Sequence, residues 1–318
     1  MQAELYKTRL FLYFFHRQAC DFSTYFLCFL YGGTVHYTSI NSRLISSEAT
    51  QIAISERGFR YGDGVFETIL LRSGLPYLWD GHMARLQAGL TALRLPPVDT
   101  VRLWQDSAAL IAKNQIEDGI LRLCISRGQG GQGYLPAGKS TPLIVIECLP
   151  GSEETGGITL WLSQICLAPA SCRPTQAKTM QGLPYTLARL EASEAGADDA
   201  LMCALDGTVA EAASGNVFWV QDGRLYAPVL ATGCLPGTTR AAIMRFSPLP
   251  IQEVSLEPEA LEQADEVFMT NAGRGIVPVL GLQPLGYRWE VGPVTQKLQA
   301  EREEDIRNDV ARFRSSLV

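Results

Sequence analysis

QAKTMQGLPYTLARLEA, residues 176–192, is the stretch on which the reading of this chain turns. It places Lys178 in a short polar turn just ahead of an apolar-periodic helix. Leu183, Leu187 and Leu190 follow the i, i+4, i+7 spacing of one helix face, the pattern of a helix that packs on a core. The helix dipole does not explain a lysine at that end, because the N-terminus favours anions. Read alone, Lys178 is an ordinary solvated lysine, since lysine is rarely buried. Lysine is scarce here, however: five (7, 113, 139, 178, 297) stand against 22 arginines.

Around that stretch, the composition describes a globular chain. Of its 318 residues, 47% are hydrophobic and 19% charged, and the length suffices for two domains. A net charge of −6 lacks the basic footprint of a nucleic-acid binder. The eight cysteines are scattered without a CxxC pair, and Cys124 and Cys148 sit inside apolar runs. Reduced thiols in a cytoplasmic protein fit that pattern, and a disulfide frame does not. Three histidines without a neighbouring cysteine cluster give no expectation of a metal site.

Residues 1–36 form an extension to which no function is assigned. Its apolar runs LFLYFF (residues 10–15) and YFLCFLY (25–31) are broken by His16, Arg17 and Asp21, and neither reaches the roughly 20 residues that span a bilayer. Residues 37–150 are read as a small α/β domain. Strands are expected at 66–71, 120–126 and 143–148, and helices at 81–95 and 100–113. Asp80 is the candidate N-cap of the first helix, whose apolar positions are Met83, Leu86, Leu90 and Leu93 and which Pro96-Pro97 stops. LPGSEETGG has linker composition, and residues 151–157 are set apart as the linker. Residues 158–318 are read as a larger domain, with strands near 158–162, 200–205, 216–220 and 267–270 and helices near 183–195, 238–246 and 293–312.

Seven stretches carry a resemblance that these patterns alone do not. In order they are SERGFRYGDGVFET (55–68), HMARL (82–86), SRGQGGQGY (126–134), KTMQGLPYTLARLEA, GTVAEAASGNVFWVQDG (207–223), LPGTTRAAIMR (235–245) and EVFMTNAGRGIVPV (266–279). Together they resemble fold-type IV pyridoxal-phosphate enzymes, the superfamily of branched-chain and D-amino acid aminotransferases and aminodeoxychorismate lyase. The resemblance implies a mixed α/β, two-domain fold with a β-barrel-like larger domain, a homodimer, and pyridoxal 5'-phosphate as cofactor. It makes Lys178 the Schiff-base lysine and Glu211 the acid facing the pyridine nitrogen. Gly237, Thr238 and Thr239, which open a helix, would hold the phosphate with free N–H groups and hydroxyls. Arg85 matches the phosphate-binding arginine, and Asn271 and Ala272 match a further cofactor-contacting loop. Each has a plainer local reading: helix capping for the threonines, a solvated helix face for Arg85, a loop carboxylate for Glu211.

The YGDGVF segment reads locally as a tight turn, and the resemblance puts Tyr61 or Phe66 at the wall of a substrate pocket. Three features resemble 4-amino-4-deoxychorismate lyase, which eliminates pyruvate to form 4-aminobenzoate for folate synthesis. The segment SRGQGGQGYLP is similar to the lyase's glycine-rich segment, and Arg127 is the expected carboxylate fork. Asn271-Ala272 replaces the Gly-Thr-Ala usual in branched-chain aminotransferases. Leu183 stands where those enzymes usually carry Tyr. Gln132 departs from the lyase pattern, where a second arginine is common. A branched-chain or D-amino acid aminotransferase is the alternative. No partner beyond a small-molecule substrate and a second copy is expected, and neither nucleic acid nor membrane.

Overall fold

β-branched and aliphatic alternation in the first half of the chain builds one antiparallel sheet, described by a computed structural model that covers residues 36–151, 156–172 and 177–317. The expected extension lies outside the described residues except for His36, as do residues 152–155 of the expected linker. The strands are β1 (Tyr37–Ile40), β2 (Arg43–Ser46), β3 (Gly64–Arg72), β4 (Leu75–Pro76), β5 (Gly119–Ser126) and β6 (Leu143–Pro150), in the order β2-β1-β6-β5-β3-β4. Among the described residues, three α-helices belong to this half: α1 (Arg57–Tyr61), α2 (Trp79–Ala92) and α3 (Thr100–Asn114). The two-residue strand period sorts β3 by face. Val65, Ile69 and Leu71 pack with Met83, Leu86 and Leu90 of α2 and with Leu103 and Leu110 of α3. Phe66 and Thr68 point to the opposite face, alongside Ile120, Arg122 and Cys124 of β5, which pair with Leu70, Thr68 and Phe66.

The second half forms a nine-stranded mixed sheet that curls as a half-barrel. Its strands are β7 (Ile158–Leu162), β8 (Asp199–Cys203), β9 (Val209–Ala212), β10 (Asn216–Gln221), β11 (Arg224–Pro228), β12 (Ile251–Val254), β13 (Glu266–Asn271), β14 (Gly275–Gln283) and β15 (Tyr287–Arg288). The helices are α4 (Leu183–Glu194), α5 (Thr238–Phe246) and α6 (Pro293–Ser316). Both faces of β10 and β13 are buried, which suits continuous apolar runs such as NVFWV. Val217, Trp219, Val267 and Met269 join one core; Phe218, Val220 and Phe268 join another with Ile243 of α5 and Leu298 of α6. The long α6 reaches back to the first sheet, where Asp305 accepts from the Tyr77 hydroxyl at 2.6 Å and Asp309 from the Leu78 amide at 2.7 Å.

Three local expectations are corrected. Asp80 lies in the first turn of α2, and Leu78, in a left-handed conformation, occupies the cap position. There the Asp309 carboxylate satisfies the amide that a capping side chain would otherwise take. The strand expected at 200–205 is Asp199–Cys203. In α4 the leucine face is the outer one: Leu183 is 67% exposed, Leu187 42% and Leu190 52%. The helix packs through Ala188 and Ala192 against Ala200, Met202 and Ala210. Small residues bring it close to the sheet, so the alanine face outcompetes the leucine face for the core.

Candidate active site

Facing surfaces of the two sheets enclose a cavity of about 700 Å³. Lys178 reaches it from a segment that completes the first sheet. β4 covers β3 only at Leu71 and Arg72, which leaves the Gly64–Phe66 end open. The segment fills that edge: the Phe66 amide donates to the Lys178 carbonyl at 2.9 Å, and the Met180 amide donates to the Gly64 carbonyl at 3.0 Å. Gly64 is needed for this approach, since a Cβ there would lie 2.6 Å from the Ile125 carbonyl oxygen and 2.9 Å from the Met180 sulfur. The Lys178 ammonium stands 4.4 Å from the Phe66 ring centre. Burial pulls its pKa below the ordinary lysine value, and the Arg85 cation adds to that, while Glu67 and Glu211 act in the opposite sense. The segment therefore presents a desolvated lysine in which the neutral amine, the form that attacks carbonyl carbon, is more accessible than in a solvated one.

Glu211, on β9, is 3% exposed and lines the same cavity. One carboxylate oxygen accepts from the Tyr185 hydroxyl at 2.9 Å; the other accepts from the Leu235 amide at 2.9 Å and the Asn216 amide group at 3.4 Å. These donors hold the carboxylate in one orientation. Ala212, Ala213, Ser214 and Gly215 continue the wall with little side-chain bulk. The Ser214 hydroxyl donates to the buried Asp199, and the Asn271 side chain donates to the Ser214 carbonyl at 3.1 Å.

Gly237, Thr238 and Thr239 form the cavity's other end, at the start of α5. The first turn of α5 carries no side-chain cap, so its amide groups point at the cavity with the positive end of the dipole. A Cβ at Gly237 would sit 2.1 Å from the Asn216 carboxamide oxygen, so the close turn requires glycine. Arg85 enters from α2. Its guanidinium donates to both oxygens of Glu67, at 2.8 and 2.5 Å, and to the Pro236 carbonyl at 3.1 Å. Glu67 faces the helix-covered side of β3, where a lone carboxylate would be costly. Burial pushes its pKa up, but the Arg85 fork and His82 more than offset this, and it falls to about 2. His82 touches Glu67 through Nδ1 at 2.6 Å and Thr238 Oγ1 through Nε2 at 3.2 Å.

The structure thus brings Phe66, Arg85, Lys178, Glu211, Gly237, Thr238, Thr239, Asn271 and Ala272 to one cavity. It does not bring Arg127 or Tyr61 there. The Arg127 guanidinium takes both oxygens of Asp63, at 2.8 and 3.0 Å, and the Leu93 and Arg94 carbonyls at 2.6 and 3.3 Å. Arg57 shares Asp63 and holds the Gly133 and Tyr134 carbonyls. These contacts fix the glycine-rich turn, and Arg127 spends its fork inside the fold. The Tyr61 ring packs against Tyr134, 5.5 Å between centres, under the Arg57 guanidinium.

Five residues that the sequence reading did not assign stand in or beside the cavity. Thr68, Tyr185 and Asn216 line it, and His82 braces Thr238. Arg122 is exposed on the cavity face of β5, its guanidinium 5.3 Å from the Phe66 ring centre. A signal for His82 was present. A glutamate at a core-facing position of β3, with His and Arg three residues apart on the next helix, implies a buried ion cluster.

A family model described as amino-transferase class IV matches residues 64–282. An aminodeoxychorismate lyase of Vibrio harveyi is 30% identical over 264 residues, spanning 79% of this chain and 95% of that protein. The crystal structure of a 4-amino-4-deoxychorismate lyase from Pseudomonas aeruginosa is 31% identical, with a TM-score of 0.75 over 85% of this chain and 99% of that one. A branched-chain aminotransferase from the archaeon Thermoproteus uzoniensis, solved with norvaline, is 25% identical, with a TM-score of 0.80 over 86% and 95%.

Proposed function

The chain belongs to the amino-transferase class IV family, whose members use pyridoxal 5'-phosphate, and from that premise we propose that it is a 4-amino-4-deoxychorismate lyase. The cavity fits the cofactor by its donor set. Uncapped amides of α5, the Thr238 and Thr239 hydroxyls and Arg85 suit a phosphate. Lys178 is the amine that would carry the aldehyde carbon, and Glu211 the carboxylate that would face the ring nitrogen. When bound, the cofactor supplies an electron sink for the charge left on the substrate carbon.

In this reading, Lys178 Nζ takes the proton from the carbon bearing the substrate amine, a task suited to an amine of lowered pKa. Glu211, held by Tyr185, Leu235 and Asn216, keeps the ring nitrogen protonated. Phe66 orients the substrate ring, and Arg122 holds a carboxylate at the cavity mouth. Pyruvate leaves and the carbocycle becomes aromatic 4-aminobenzoate, so no amino acceptor is consumed. The observation that carries the lyase reading is the wall of Asn271, Ala272 and Gly273 beside Thr68 and Ile120. These short side chains leave width for a ring. The likeness to branched-chain enzymes favours an aminotransferase as the second reading, with Lys178 and Glu211 in the same roles.

We also infer a homodimer, a reading supported by the outward leucines of α4 and by exposed Ile54, Phe59, Tyr134 and Leu135. A monomeric mass in sedimentation would contradict it. Among the described residues no helix is long and apolar enough to cross a membrane. Free thiols at Cys124, Cys148, Cys166 and Cys203 support a cytoplasmic setting. Residues 37–150 and 158–318 are proposed as the two domains, each carrying one sheet. The test supplies aminodeoxychorismate to the cofactor-loaded protein without any 2-oxo acid, beside Lys178→Ala. Equal yields of pyruvate and 4-aminobenzoate, absent in the variant, are expected. Turnover only with an amino acid and a 2-oxo acid would transfer the assignment to the aminotransferase.

A further inference from the structure

The contacts of His82 raise a question of proton supply. Glu67 is ionised, so it can only accept, and His82 Nδ1 must carry the proton of their 2.6 Å contact. Burial holds the imidazole pKa low, so the ring is neutral and its Nε2 is a bare acceptor. The partner of Nε2 is Thr238 Oγ1 at 3.2 Å. Thr238 therefore spends its single hydroxyl proton on histidine. A phosphate dianion arriving at the start of α5 would then meet an oxygen without a donor. If the hydroxyl turned toward the anion, Nε2 would be left buried and unsatisfied, which is costly.

We propose that His82 is the positioning residue of this phosphate cradle: it takes up one proton at Nε2 when a phosphate dianion seats against Thr238, and so frees the Thr238 hydroxyl to donate to phosphate. The inference rests on the cofactor reading above. The balance is simple. One proton passes from solvent to Nε2, Nε2–H donates to Thr238 Oγ1, and Thr238 O–H donates to a phosphate oxygen. The charged groups that face His82 are Glu67 from β3, Arg85 from its own helix and Lys178 from the 177–180 segment. Glu67 favours the imidazolium, whereas burial and the two cations oppose it. The dianion adds negative charge on the Thr238 side and reverses that balance. A purely structural histidine would keep one protonation state throughout.

The test uses the protein with ¹⁵N-labelled histidine, in which His16→Gln and His36→Gln leave His82 as the single imidazole. Spectra are taken at pH 8 after loading with pyridoxal 5'-phosphate, with pyridoxal lacking the phosphate, and with saturating inorganic phosphate. Two protonated ring nitrogens are expected in both phosphate-bearing samples, and a neutral ring protonated at Nδ1 with pyridoxal. Calorimetry of inorganic phosphate in buffers of different ionisation enthalpy should show about one proton more taken up by the parent than by His82→Gln. A bare Nε2 with phosphate bound would overturn the proposal and leave the cofactor reading intact. Failure of both phosphate ligands to bind would overturn the two together.

Discussion

Two arginine–carboxylate knots of similar make lie four residues apart, one on β3 and one in the turn before it, and they serve different ends. In one, Arg85 grips Glu67 and extends a further N–H to the Pro236 carbonyl at the cavity. In the other, Arg57 and Arg127 grip Asp63 and the carbonyls of Leu93, Arg94, Gly133 and Tyr134. Arg85 and Arg127 are each a fork on a carboxylate. Arg85 lines the cavity, while Arg127 lies away from it and ends its donors on Asp63 and the Leu93 and Arg94 carbonyls. The contrast shows that a motif arginine is assigned by where its remaining donors point, not by its presence.

The largest effect separating the knots should come from Glu67→Ala. It leaves the largely enclosed Arg85 without its carboxylate, and a loss of roughly 3–5 kcal/mol in denaturant unfolding is expected. Next is acid. Glu67 titrates near 2 in the fold, below its ordinary value. Its contribution is therefore complete above about pH 4.5 and is lost as pH falls toward 2, worth roughly 3 kcal/mol. Asp63, also held low by its two arginines despite burial, adds in the same sense. Melting followed across that window should flatten in Glu67→Gln relative to the parent.

Arginine-to-lysine exchanges then sharpen the comparison directly. Arg85→Lys should weaken cofactor binding roughly 10- to 100-fold, because a bidentate fork becomes a point charge. Arg127→Lys should lower the melting temperature and leave cofactor affinity within about twofold. An equal loss of affinity in both would erase the distinction. The smallest effect expected is at Arg122→Gln, a rise of roughly tenfold in KM for a carboxylate-bearing substrate at unchanged kcat.

Much of this was legible in the residues. The strands at Gly119–Ser126 and Leu143–Pro150 and the helix at Thr100–Asn114 follow from period and capping, with Asp99 accepting from the amides of Val101 and Arg102. Lys178 and Glu211 stand in motifs, and the structure puts both at one cavity. The rest was hidden for physical reasons. Local periodicity cannot say which of two faces of α4 meets a sheet, because Ala188 and Ala192 win by closeness rather than hydrophobicity. Nor can it say that Asp63 lies within reach of Arg127, 64 residues away. His82 was quoted within a motif, but its bond to Thr238 spans 156 residues.

Lys178 is proposed to carry the cofactor in this cavity. The direct measurement is borohydride reduction of the protein loaded with pyridoxal 5'-phosphate, then digestion and mass mapping of all five lysines. A phosphopyridoxyl group is expected on the peptide containing Lys178, and none at that site when Glu211, Arg85 and Thr238 are intact but Lys178 is alanine. A modified lysine elsewhere in the parent protein, or no stable adduct at all, would contradict the proposal.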